Sequence, residues 1–202
     1  MERSVALDKA KTAANLITEG VRKIKNTQPK DLPLMATLPL LSISEGFEDP
    51  GIIDPNIREI LLFGSLARGN DWVGDIDMMI LDEGFYSNFF TAPNEVTKPW
   101  YEDLGYNLGE LLTQWFDFDP EDPKVNELMR STPVDLHVLP ADVLHSGAKR
   151  SELLEHHHDP DFFENAFSDL MRFDGDGFVS TDRSHLVTEH KMGSKLGQTI
   201  SS

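Results

Sequence analysis

Apolar runs of strand length and longer stripes of helical spacing both occur in this 202-residue chain, and together they predict an α+β domain. Three observations carry that prediction. An alanine-rich helical stripe opens the chain. Three apolar runs of six or seven residues follow, each flanked by Gly or Pro. Broader leucine and aromatic stripes lie between and after them. The core is expected within residues 1–174, with 175–202 as a C-terminal tail of low core content.

The elements follow in chain order. Ala10, Ala13, Ala14, Ile17, Val21 and Ile24 recur at helical spacing, with Lys9, Lys11, Arg22, Lys23 and Lys25 mostly off that stripe, predicting an amphipathic helix over 5–26. Five prolines between 29 and 55 mark an irregular connection. Ile57 to Phe63 is a buried-strand candidate running into Gly64-Ser65, and Ile76 to Leu81 is a second, between Gly74 and Gly84. From Lys98 to Phe116 the apolar residues Trp100, Leu104, Leu108, Leu111, Leu112 and Trp115 form a wide helical stripe, with Pro99 near its first turn. Residues 85–130 stand as an insertion between the second and third strands. Val134 to Leu139 is the third strand, ended by Pro140. Residues 141–155 and 160–172 read as helices, the latter on Phe162, Phe163, Ala166, Phe167 and Leu170.

Composition narrows the function classes. The chain has no Cys, which excludes a disulfide scaffold, a Cys-ligated zinc site and a Cys nucleophile. No run approaches the ~18 apolar residues of a membrane span, and the start has no apolar core before a small-residue cleavage site. The cytoplasm is the expected compartment, with no membrane partner. The net charge is -17 and unevenly spread: residues 1–30 carry seven basic and three acidic side chains, while 31–174 carry eight and 29. So acidic a body repels nucleic-acid phosphate at long range and attracts cations.

One stretch carries chemistry. Leu62-Phe63-Gly64-Ser65-Leu66-Ala67-Arg68-Gly69 is followed by Gly74-Asp75-Ile76-Asp77-Met78-Met79-Ile80. A strand therefore enters a Gly-Ser turn, and a second strand opens with two acids one residue apart. Alternate strand residues share a face, ~6.6 Å apart along the backbone, so Asp75 and Asp77 converge while Ile76, Met78 and Ile80 enter the core. Two such acids repel unless a cation lies between them. Mg2+ takes carboxylate oxygens and keeps positions open for phosphate. Gly64 permits close backbone approach, turn N–H groups and the Ser65 hydroxyl suit an anion, and Arg68 supplies positive charge. In the third strand, Asp135 and His137 share a face opposite Val134, Leu136 and Val138. Three strand carboxylates can hold two metals ~3.5–4 Å apart, an arrangement that supports in-line phosphoryl transfer.

This composite resembles the minimal nucleotidyltransferases of the DNA polymerase β superfamily. Gly64, Ser65, Ala67, Arg68, Gly69, Asp75, Asp77 and Asp135 fill that family's pattern. Gly74 stands where many relatives have Ser, and Asp135 is assigned by its strand context. The resemblance covers 57–82 and 133–140. It implies a mixed sheet flanked by helices, and transfer of a nucleoside monophosphate from a nucleoside triphosphate, expected to be ATP, to a hydroxyl with release of pyrophosphate. Asp75, Asp77 and Asp135 would hold Mg2+, two ions in the family pattern, or Mn2+. Asp135 is also the implied base, and Gly64, Ser65 and Arg68 the implied nucleotide-binding residues. The acceptor would be a protein or a cationic small molecule. The alternatives are an antitoxin-like or nucleotide-binding module with little turnover, and a tRNA-modifying relative, against which the charge weighs.

Three further features have plainer readings. His156-His157-His158 point ~100° apart on a helix and cannot share one ion, so they are expected to be an exposed polar run. Asp174-Gly175-Asp176-Gly177 lacks the Glu of a calcium loop and is expected to be a turn. His137 stands evenly between a satisfied strand histidine and a member of the site.

Overall fold

The computed structural model describes residues 1–26, 57–82, 108–131, 133–140 and 169–181. It is an α+β structure in which an N-terminal helix lies on a five-stranded mixed sheet. The helix, α1 (Arg3–Asn26), buries Ala6, Ala10, Ala13, Ala14, Leu16, Ile17, Gly20 and Ile24, which is the predicted stripe begun two residues early. Small residues along that stripe let the helix approach its neighbours closely. At Gly20 the approach is complete: the Phe116 ring occupies the space an added methyl group would need.

The sheet order is β3-β2-β1-β4-β5. β1 (Ile57–Leu62) pairs antiparallel with β2 (Ile76–Asp82), and the pairing slips between Ile57 and Glu59. Between them lies the one-turn helix α2 (Gly64–Ala67). β3 (Val134–Pro140) runs parallel to β2. Parallel neighbours require a long crossover, which residues 83–133 provide. Its described part contains α3 (Leu108–Glu110), a π-helical turn (Leu111–Trp115) and α4 (Pro123–Ser131). The π-turn is closed by Phe116 N–H donating to Leu111 O at 3.0 Å, five residues back.

Alternation divides β2 as its sequence requires. Ile76, Met78 and Ile80 join Ile60, Leu62, Leu136, Leu112, Val125 and the α1 stripe in one core. The opposite face carries Asp77, then Met79 and Leu81, which are also fully buried.

Three elements add to or differ from the sequence reading. The first is α4, most of which lies in the 85–130 insertion, where the sequence reading assigns no element after Phe116. Only Val125 and Leu128 anchor it, too few for a periodic signal, but its start is marked by Asp122, whose Oδ1 accepts from Lys124 N at 2.8 Å. The second concerns the helix expected over 160–172. Residues 170–173 instead form β4 (Leu170–Phe173), which pairs with β1 through Leu61↔Arg172 and Leu62↔Met171. An open edge of β1 overrides local helical spacing, because ladder bonds and burial of Leu170 and Met171 outweigh propensity. The third concerns the tail. Its residues Phe178–Thr181 form the edge strand β5, and Phe178 packs on the core and against Phe173 at 5.3 Å between ring centroids. The Asp174–Gly177 turn is present as expected: Asp176 and Gly177 N–H groups both donate to Asp174 Oδ1 at 3.0 Å, which holds its carboxyl below the usual range.

The expected elements at 29–56, 98–107, 141–155 and 160–168, with His156–His158, lie outside the described residues, as do 182–202 of the tail. Among the described residues no helix is long and apolar enough to cross a membrane.

Candidate functional site

The site is built where β1 stops. Phe63 is extended, and its N–H donates to Asp77 O at 3.1 Å, carrying the β1–β2 ladder one residue beyond β1. Gly64 then turns the chain with φ +67°, a left-handed conformation that side chains with a Cβ adopt at a cost. Its Cα faces the Asp77 carboxylate so closely that a Cβ would overlap Oδ2 and lie 2.7 Å from Cγ. The backbone N–H of Ser65 donates to that same carboxylate. The turn is held from below by Leu66, which is fully buried. It is closed by Arg68 N donating to Gly64 O at 3.1 Å and Asn70 N to Ser65 O at 3.2 Å.

The loop from α2 to β2 is tied to the start of the chain. Arg3 N donates to Asp71 O at 2.9 Å, and Val73 N to Met1 O at 3.0 Å. Trp72 lies between these ties and is 70% exposed. β2 then starts at Ile76, whose N–H donates to Pro133 O at 3.0 Å. Asp75 is thus the exposed residue just before the strand rather than its first member.

Asp77 and Asp135 are direct partners in the β2–β3 register, with Met79 and His137 the next pair on the same face. Paired residues on neighbouring strands sit ~4.8 Å apart, so the fold places these two carboxylates side by side although 58 residues separate them in sequence. Burial pushes the Asp77 carboxyl above the usual carboxylate range, and the charges of Asp75 and Asp135 push it further; His137 and the Ser65 N–H oppose the rise. Asp135 is half exposed, and His137 Nε2 lies 3.5 Å from its Oδ2. The His137 ring, 12% exposed, stands edge-on to Phe63 at 5.4 Å between centroids.

The predicted residues therefore divide. Gly64, Ser65, Asp77 and Asp135 come together, with Asp75 close enough for its charge to act on Asp77. Arg68 sits exposed at the far end of the turn, and no ion pair joins it to these acids among the described residues. Phe63, which packs beside the site against His137, was not assigned a role by sequence, because it carried only the signal of a strand-ending apolar residue.

The donor set is of the kind a hard divalent cation takes, since the Asp77 carboxyl, its proton affinity raised by burial and by the neighbouring acids, is relieved by positive charge beside it. Asp75, Asp77 and Asp135 are the residues that would hold it. Among the described residues no three His, Asp or Glu side chains already converge on one point at metal-binding spacing. The backbone register thus fixes Asp77 and Asp135 as neighbours. No protein-family model, no curated protein and no solved structure matches the chain.

Proposed function

We propose that this chain is a metal-dependent nucleotidyltransferase, moving a nucleoside monophosphate from a nucleoside triphosphate to a hydroxyl of a protein or cationic small-molecule acceptor. The observation that carries this reading is the contact between the Gly64 turn and Asp77, with Asp135 paired beside Asp77. A glycine that admits no side chain because a carboxylate fills the space is hard to account for as an ordinary strand-ending turn. It is the arrangement expected where a triphosphate must approach backbone and acid together.

The roles follow from position. Ser65 gives its N–H to Asp77, so its hydroxyl is the group it offers to phosphate. Asp75, Asp77 and Asp135 would hold Mg2+, which when bound neutralises phosphate charge and strengthens the α-phosphorus as an electrophile. Asp135, half exposed, is reachable by an acceptor and takes the proton of its hydroxyl. The acceptor oxygen forms a bond to the α-phosphorus, the bond to the β-phosphate oxygen breaks, and pyrophosphate leaves. The acidic body, at 29 acidic to eight basic residues over 31–174, favours a cationic acceptor over nucleic acid.

Incubation with each nucleoside triphosphate, with Mg2+ or with chelator, tests this. Pyrophosphate release that needs Mg2+, with a nucleotide-sized mass increase on an acceptor, is the expected result. Metal-dependent binding without pyrophosphate would support the binding-module reading instead. Triphosphate affinity equal in Mg2+ and in chelator would refute the metal site.

A further inference from the structure

We draw no further inference here: the strongest candidate, the surface patch at Trp72, which is 70% exposed on the loop tied to the start of α1, carries none because nothing in the structure shows what covers it.

Discussion

Replacing Gly64 by Ala tests the geometry at the centre of the site without any assumption about activity. Two costs add. The left-handed backbone costs a residue with a Cβ about 1–2 kcal/mol. The new methyl group must also displace the Asp77 carboxylate, which it would overlap at Oδ2 and meet at 2.7 Å at Cγ. Overpacking of that kind costs about 1–3 kcal/mol. The expected loss is therefore about 2–5 kcal/mol, a large share of the roughly 5–15 kcal/mol of a whole domain. Two other glycines separate the costs. Gly69 has φ +87° but nothing within 4 Å of an added Cβ, so Gly69→Ala is expected to lose only the backbone part. Gly74 has open space and no left-handed backbone, so Gly74→Ala is expected to be nearly neutral. Urea unfolding of all three gives the ranking. Asp77→Ala supplies the decisive cycle, because it removes the overlapping Oδ2 and Cγ and leaves Asp77 Cβ at 3.2 Å. Gly64→Ala should then cost less in the Asp77→Ala background than in the wild type, by about 0.5–3 kcal/mol. A Gly64→Ala variant as mild as Gly69→Ala, or strict additivity with Asp77→Ala, would refute the reasoning.

Three other outcomes follow from the same structure. Since the Asp77 carboxyl is held above its usual range by burial and by Asp75 and Asp135, the native state keeps that proton more tightly than the unfolded chain does. Its contribution is then most favourable below the ordinary carboxylate pKa of ~4 and declines as pH rises through the raised value. In chelator, Asp77→Asn should melt higher than wild type at pH 7 and decline less above pH ~4; parallel curves would contradict this. Asp135→Asn should leave the metal-free melt unchanged or raised while turnover falls ~10²–10⁴-fold, and a lower melt with intact turnover would remove Asp135 from the chemistry. Gly20→Ala should destabilise by about 1–3 kcal/mol although Ala is the better helix former by ~1 kcal/mol, because the Phe116 ring fills the space; partial rescue by Phe116→Leu in the same melts would identify the ring as the cause.

Much of this was written in the sequence, for a physical reason that can be named element by element. The α1 stripe and the apolar runs of β1, β2 and β3 are local periodic signals, and each appears close to where its spacing predicts. The side of β2 that carries Asp77 was legible because strand alternation has a period of two and Ile76, Met78 and Ile80 take the core face. What sequence could not supply was anything that depends on which strand lies beside which. The residues at 170–173 have helical spacing but form a strand, because the open edge of β1 was there to be paired. Phe178–Thr181 read as tail because a short edge strand buries little. The overlap that reserves position 64 for glycine exists only because β1 and β2 are adjacent and antiparallel. Asp135 becomes the neighbour of Asp77, and His137 the neighbour of Phe63, only through the parallel register of β2 with β3 across a crossover of some fifty residues. Alternation along a strand fixes which face a side chain takes; long-range pairing fixes what it meets there.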